Sequence, residues 1–361
     1  MKIVLVNDSI YAHAMGLPTV VGGAERQQWF LARALAAAGW LVVVGVREGL
    51  HPGEHKTIDG VKFVGTDHGQ ILSAWYRFIS SERPDWWYWR CASHWWGPAV
   101  AIAKLEKVST IFSAAFDSDV LPRHALHTRR AWWPLYAWGL SRTDRIFVQH
   151  GGQLSGLSPQ WRSKAYRVPS LAGETVAMRP HSERTRYVAW VGDLRLPKRP
   201  DLLIEIARSM PETRFIVCGG PTAHRSQPGY GQSIVDRLRT LQNVEQRGQL
   251  IHSEALRVIA DAALLLSTSD EEGFPNTFLE AWSSGTPVVS LKIDPDRTIE
   301  RFRLGTVSGD IARAVADISA LINSPERREE IGLRARRHVA EAHSEAAVTT
   351  AFERAICGSR A

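Results

Sequence analysis

Residues 270–289, DEEGFPNTFLEAWSSGTPVV, place two carboxylates, Glu272 and Glu280, eight positions apart (280 − 272) across a helix start. An ionised carboxylate only accepts hydrogen bonds, so each can hold a pair of hydroxyls, as on a sugar and on a ribose. A plainer use of Asp270, Glu271 and Glu272 is to complement the positive end of the helix dipole. That use leaves Glu280 unexplained, because it falls about two turns further on, in a mostly apolar stretch. Pro275 suits the first helical turn, where its missing N–H is no loss. Asn276 and Thr277 then set backbone N–H groups at a helix start, a favourable place for an anion. A second group of residues has matching chemistry. In GDLRLPKRPD, Arg195 and Lys198 follow the Gly192 turn and precede the helix PDLLIEIA. Two full positive charges there can neutralise a diphosphate, the group a departing nucleotide carries; the alternative is a pair of solvated loop charges.

These groups need a scaffold that brings loops together. KIVLVN, WLVVVGV, VKFVG, WWYWR, STIFSAAF and RIFVQH are short apolar runs, and QQWFLARALAAAG and AVAIAKLEKV have helical spacing. The same rhythm restarts with YVAWVG, DLLIEIARSM, RFIVCGG, SIVDRLRTL, NVEQRG, EALRVIADA, ALLLSTS and PVVSL. Alternating strands and helices predict parallel α/β sheets, so the fold class is α/β with two Rossmann-like, doubly wound domains facing a cleft. The expected domains are 1–168 and 187–344, joined by a linker near 168–186 where periodicity gives way to Gly, Pro and charge. A last helix, about 345–361, is expected to pack back on the first domain. Ligands of such sheets sit at the carboxyl ends of the strands. Three loops of the second half fall there: the one holding Arg195 and Lys198, CGGPT with Gly219, and STSDEEGFPN.

At this point the residues resemble a known family. EEGFPNTFLEAWSSGTPVV is similar to the E-x7-E motif of retaining glycosyltransferases of the GT-B fold, specifically glycosyltransferase family 4 (group 1). WVGDLRLPKRPDLLIEIA resembles that family's diphosphate-binding strand, loop and helix, and VGGAERQ its glycine-rich loop facing the cleft. The resemblance implies that Glu272 binds hydroxyls of the transferred sugar and Glu280 the nucleotide ribose. It implies that Arg195 and Lys198 hold the diphosphate. Phe274, Asn276 and Thr277 would present backbone to phosphate or sugar, while Gly22 and Gly23 let the chain approach the donor phosphates. Two positions depart from the family. Where the commoner loop has Arg directly after the glycine, Asp193 stands here and Arg195 is left to supply the charge. Where many relatives carry a His, Phe116 and Asp117 stand, which makes Asp117 the candidate for that place.

The implied reaction is sugar transfer from a nucleotide-diphosphate sugar to a glycan or lipid-linked acceptor with retention at the anomeric carbon, in bacterial cell-surface polysaccharide or glycoconjugate synthesis. No cofactor is expected. Asp117-Ser-Asp119 and Asp294-Pro-Asp296 have the form of DxD metal pairs, but Arg and Lys can neutralise the phosphates, so no metal is expected either. His94, His124 and His127 lack ligand spacing on one helix face.

Composition narrows the remaining classes. The chain has 361 residues, with 44% hydrophobic and 22% charged, enough for two domains at about 150 residues each. No apolar run is long enough to cross a membrane, and the five-residue apolar start suits a buried strand better than a signal peptide. Three distant cysteines, Cys91, Cys218 and Cys357, argue against a disulfide scaffold or zinc site and suit a reducing cytoplasm. Residues 1–170 hold 19 Lys+Arg and 12 Asp+Glu, a balance of 19 − 12 = +7, whereas residues 171–361 hold 25 of each. That basic half suits an anionic membrane surface or nucleic acid, or belongs to an ordinary basic protein. Eight of the 14 tryptophans fall between Trp86 and Trp138. They serve either as core or, with Arg123, Arg129 and Arg130, as an acceptor platform or a peripheral contact on the cytoplasmic membrane face. Pro134 argues against one long amphipathic helix there. Rival readings are a nucleotide-sugar epimerase of the same fold and a basic nucleic-acid-binding protein. The first lacks a visible second set of carboxylates and the second any known motif, so no nucleic acid is expected as a partner. No G-x-G-x-x-G follows the first strand, which removes a dinucleotide oxidoreductase.

Overall fold

The computed structural model describes residues 1–17, 22–125, 130–221 and 228–358. Val21 of the first glycine-rich loop, His127, Arg129 and Thr222 lie outside them, as does the Arg130 side chain. The chain forms two compact units, Met1–Leu171 with Glu345–Ala361, and Ala172–Ser344.

Unit 1 contains strands β1 Lys2–Val6, β2 Leu41–Val46, β3 His55–Ile58, β4 Val61–Gly65, β5 Trp86–Arg90, β6 Ser109–Ser113, β7 Arg145–Val148 and β8 Ala165–Arg167. Helices α1 Asp8–Ala14, α2 Gly23–Ala37, α3 Ile71–Glu82, α4 Trp96–Leu105, α5 Trp133–Arg142, α6 Gly151–Gly156 and α7 Pro159–Arg162 connect them. The sheet order is β3-β4-β2-β1-β5-β6-β7-β8. Among the described residues, only β3 runs antiparallel to its neighbour. β1 is central because KIVLV is apolar on both faces: Ile3 and Leu5 enter the core with α2, whereas Val4 enters the core with α3, α4 and α5. The tryptophan-rich stretch divides between two fates. Trp87 and Trp96 are fully buried, and Trp75 of α3 meets Trp87, Trp89 and Trp95 edge-on at 5.9, 5.5 and 6.0 Å between ring centroids. Trp132 and Trp138 remain exposed beside and on α5, which begins at Trp133 with Pro134 in its first turn. In that first turn its ring clashes with no preceding carbonyl and its missing N–H costs no helical bond.

Unit 2 contains β9 Tyr187–Val191, β10 Arg214–Cys218, β11 Val244–Gly248, β12 Leu264–Ser267, β13 Val288–Ser290 and β14 Gly305–Val307. Its helices are α8 Pro200–Ser209, α9 Tyr230–Arg239, α10 His252–Asp261, α11 Asn276–Ser283, α12 Thr298–Phe302, α13 Ile311–Ile322 and α14 Pro325–Ala342. All its strand pairs are parallel, in the order β11-β10-β9-β12-β13-β14. Counted from β9, that is the 3-2-1-4-5-6 order of a doubly wound sheet, with its reversal between β9 and β12. Val188 and Trp190 pack with α8, α9 and α13, while Tyr187 and Ala189 face the core shared with α10 and α11. The last helix, α15 Glu345–Cys357, belongs to unit 1. Phe352 stacks edge-on against Trp40 and Phe147, and Arg145 donates to the Ala355 and Ile356 carbonyls at 3.1 and 3.2 Å.

The division falls at residue 171/172, so residues 172–186 are part of unit 2 rather than a linker. They lack periodicity because polar anchors, not an apolar stripe, hold them. Buried Arg184 donates to Ser284 O at 2.7 Å and Thr286 Oγ1 at 2.8 Å. His181 is buried with Nε2 2.8 Å from Gly285 O, and its Nδ1 accepts from Arg328 Nε at 3.3 Å. Both ring nitrogens are satisfied by the neutral imidazole, with the proton on Nε2. Burial, then the charges of Arg184 and Arg328, push its pKa down to about 4 from 6.5. The folded state therefore binds a proton less readily than the unfolded chain. Its stability is complete above pH 6.5 and declines as pH falls towards 4, by about 3 kcal/mol in total and about 2 kcal/mol by pH 5. Urea titrations at pH 7.5 and 5 should show this loss in the wild type and a smaller one in His181→Gln; equal losses would remove His181 as its source.

Candidate functional site

The carboxyl ends of β9 and β12 flank the reversal of unit 2, and the two loops leaving them are joined. After β9, Leu194 is buried and its N–H donates to Gly220 O at 3.0 Å. Arg195 precedes a single 3-10 turn, Leu196–Lys198. Arg199 adopts a left-handed conformation, φ +47°, which costs about 1–2 kcal/mol for a residue with a side chain. Its guanidinium is held by Asp201 at 2.7 Å and Asp270 at 2.9 Å. Thr268 Oγ1 donates to Lys198 O at 2.7 Å and accepts from Trp190 Nε1 at 3.0 Å. Asp270 N donates to Pro197 O at 2.8 Å. Side chains on these loops are thus positioned by backbone, not by their own flexibility.

At the centre, Lys198 Nζ donates to Glu272 Oε1, which also accepts from Ser269 Oγ at 2.9 Å. The pair is largely buried, at 18% and 9% side-chain exposure. Desolvating two ions often costs more than their attraction returns, so a pair held at a sheet reversal calls for a use beyond stability. Arg195 Nε lies 3.9 Å from Asp193 Oδ2. Gly219 admits no side chain: a Cβ would sit 1.8 Å from the Gly192 carbonyl oxygen, and its N–H donates to Gly248 O at 2.7 Å.

The acids of 270–272 are not helix-dipole partners, because α11 starts only at Asn276 and has no acid in its first turn. Pro275 is the residue before the helix, with φ −63° and ψ 123°, rather than its first member. Asn276 and Thr277 are the first two helical residues. Phe274 is buried against Trp282 and His343. Phe278, Leu279, Ala281 and Trp282 bury the helix's apolar face, and Glu280 is carried inward with them at 6% exposure. Its Oε1 lies 3.1 Å from His252 Nε2, at the start of α10.

Gly22, Gly23 and Asp117 belong to unit 1. Gly22 precedes α2 and Gly23 opens it. Asp117 follows β6 in a 3-10 turn, Asp117–Val120. His150, buried at the end of β7, places Nε2 2.8 Å from Asp117 Oδ1, and Gln153 Nε2 donates to the same oxygen at 3.3 Å. The Asp117 carboxyl is half exposed. Asp119 and Asp294 of the DxD triplets make local backbone contacts. Buried Asp119 accepts from Ala115 N at 2.8 Å and Phe116 N at 3.1 Å, and Asp294 accepts from Ile299 N at 2.7 Å.

The cavity of about 600 Å³ in unit 2 is not this site. It is lined by Tyr187, Ile216, Val258, Arg214 and Arg247 among others and by none of the candidates above. Arg214 and Arg247 both pair with Glu245 there, a charged lattice beside the edge strand β11.

His252, Ser269 and Thr268 in unit 2, and His150 and Gln153 in unit 1, are not among the candidates that residue type and spacing single out. Ser269 and Thr268 stand in the STSDEEGFPN loop, where proximity to the acids is a usable signal. His252 follows β11, the fourth loop at the same edge of the sheet, which has no motif of its own.

Residues 185–324 match the family model described as glycosyl transferases group 1. D-inositol 3-phosphate glycosyltransferase of Mycobacterium sp. (strain KMS) is 31% identical over 111 residues, 30% of this chain and 25% of that protein. Its counterpart from Corynebacterium glutamicum (strain R) is 28% identical over 157 residues, 41% of this chain and 38% of that one. The matches thus span well under half of these relatives. The whole fold is shared more widely. Sucrose-phosphate synthase from Thermosynechococcus elongatus superposes with a TM-score of 0.79 at 16% identity, over 99% of this chain and 98% of that one. Anabaena HepE in complex with UDP and glucose gives 0.73 at 13% identity, over 99% of each chain. Residues 185–324 of unit 2 are therefore similar to the group 1 glycosyl transferases, and the chain has the GT-B fold.

Proposed function

We propose that this chain is a retaining glycosyltransferase that moves a sugar from a nucleotide-diphosphate sugar to a glycan or lipid-linked acceptor, in cell-surface polysaccharide or glycoconjugate synthesis. The observation that carries the reading is the largely buried Lys198–Glu272 pair at the β9/β12 reversal, with Glu280, eight residues on (280 − 272), buried as well. The domain match and the UDP and glucose held by HepE support it. A donor entering would exchange partners: Lys198 and Arg195 take the diphosphate, Glu272 accepts from hydroxyls of the sugar, and Glu280 from the ribose. The C1–oxygen bond to phosphate then breaks and a C1–oxygen bond to the acceptor forms on the same face. The acceptor's proton passes to the departing phosphate oxygen, so no separate base is required. Fixed positive groups stabilise the charge growing on that phosphate. In unit 1, Asp117, with one oxygen held by His150 and Gln153, serves as an acceptor-side carboxylate.

The test is release of nucleoside diphosphate from uridine, guanosine and adenosine diphosphate sugars. One of them should be turned over, with and without EDTA, because Arg195 and Lys198 do the neutralising. Glu272→Gln should remove most of that turnover, and product anomers read by NMR should keep the donor's configuration. No turnover of any donor would end the reading, and inversion would end its mechanism.

Among the described residues no helix is long and apolar enough to cross a membrane. Exposed Trp132 and Trp138, with Arg123 stacked on Trp133 at 4.9 Å, lie in the basic half and suit peripheral attachment to anionic lipid at the cytoplasmic face. Sedimentation with anionic vesicles at low salt, absent for Trp132→Ser/Trp138→Ser, is the measurement; equal sedimentation of both proteins removes the proposal.

A further inference from the structure

The geometry points to His252 as the positioning residue for recognition of the nucleotide's ribose. The inference rests on the reading of Glu280 as the ribose-binding carboxylate and adds what orients it. A carboxylate on a helix side chain rotates about its last bond, and a diol accepts only one plane of it well. Glu280 Oε1 lies 3.1 Å from His252 Nε2, a contact that fixes that plane. Each carboxylate oxygen accepts more than one hydrogen bond, so hydroxyls can add to the plane the imidazole sets.

His252 is itself held. It is the first residue of α10, its side chain is only 11% exposed, and its Nδ1 faces Glu174 Oε2 at 3.9 Å. Glu174 lies in the 172–186 segment that Arg184, His181 and Arg328 bind to unit 2. The arrangement is a chain of carboxylate, imidazole and carboxylate. A core histidine with no functional part would be expected to meet apolar neighbours or backbone; this one lies between two acids, one of them Glu280, the second acid of the E-x7-E spacing.

A positioning role predicts coupling between this side chain and the ribose hydroxyl itself, which a structural role does not. The experiment measures binding of uridine, guanosine and adenosine diphosphates by calorimetry to the full chain. The tightest one is then compared with its 2′-deoxy analogue in wild type, His252→Ala and His252→Gln. For the ribonucleotide, His252→Ala should weaken binding about tenfold, equal to about 1.4 kcal/mol, in keeping with one hydrogen bond to a charged group. For the 2′-deoxy analogue the same change should cost less than about twofold. His252→Gln, whose amide nitrogen reaches nearly the place of Nε2, should restore most of the ribonucleotide affinity. Circular dichroism and melting of each variant check that α10 still folds. Equal weakening of both ligands, or none, overturns the positioning role while leaving the transferase reading intact. A wild-type chain that binds no nucleoside diphosphate removes both, and that outcome is read before any variant is made.

Discussion

Lys198→Ala is expected to lower the rate of transfer by about 100-fold or more while the chain still folds. Removing one preorganised donor from a developing oxyanion typically costs about 2.7–4 kcal/mol of transition-state stabilisation, and Lys198 carries a whole charge. A second consequence follows from the structure. Glu272 would lose its counter-ion and keep the Ser269 hydroxyl, at 2.9 Å, as a donor. An orphaned buried charge costs about 3–5 kcal/mol, but the Lys198 side chain is 18% exposed, so water reaches the site and the loss of stability should fall below that range. The two consequences separate in the double variant. Lys198→Ala/Glu272→Gln removes the orphaned charge and should regain much of the melting temperature without regaining turnover. Turnover of Lys198→Ala within twofold of wild type would take the lysine out of the reaction.

Arg328→Ala should destabilise the chain more than Lys198→Ala does, by about 3 kcal/mol or more. Arg328 is 1% exposed in α14 and serves three segments. Its Nη1 donates to Leu321 O at 2.6 Å and Ile322 O at 2.7 Å, closing the last turn of α13. Its Nη2 donates to His181 O at 3.1 Å and its Nε to His181 Nδ1 at 3.3 Å. Truncation removes a donor from three carbonyls and an imidazole nitrogen in a buried place, each costing about 1–3 kcal/mol unless water enters the space. Urea unfolding of the full chain followed by tryptophan fluorescence measures the loss. His181 provides an independent readout. Arg328 is one of the charges opposing its protonation, so the loss of stability between pH 7.5 and 5 should be smaller in the variant than in the wild type. A stability unchanged within about 0.5 kcal/mol would mean that this anchor contributes nothing, contrary to its burial.

Strands β9, β10, β12 and β13 of unit 2 are legible in the sequence because each is a short apolar run bounded by Gly, Pro or charge, and a parallel strand buried on both faces has that composition. The strands without such a signal lie at edges or ends. β3, HKTI, is exposed along most of its length and carries no alternation; β8 and β14 have three residues each, too short for any period.

For the site, residue type and spacing alone determined that Glu272 and Glu280 stand apart across a helix start, that Arg195 and Lys198 lie in a loop after a strand, and that both loops reach the same edge of a parallel sheet. Chemistry of that kind is written locally, since a carboxylate or an ammonium is the same group wherever the chain carries it. Only the tertiary structure decided who meets whom. Lys198 and Glu272, 74 residues apart (272 − 198), touch because β9 and β12 are neighbours. His252 reaches Glu280 because α10 and α11 share one face of the sheet, and His150 reaches Asp117 because β6 and β7 pair. The segment 172–186 joined unit 2 through buried polar contacts that no hydrophobic period announces. Hydrogen bonds between distant side chains depend on ångström-scale placement of whole elements, and the order of residues along a chain does not contain that placement until the sheet has formed.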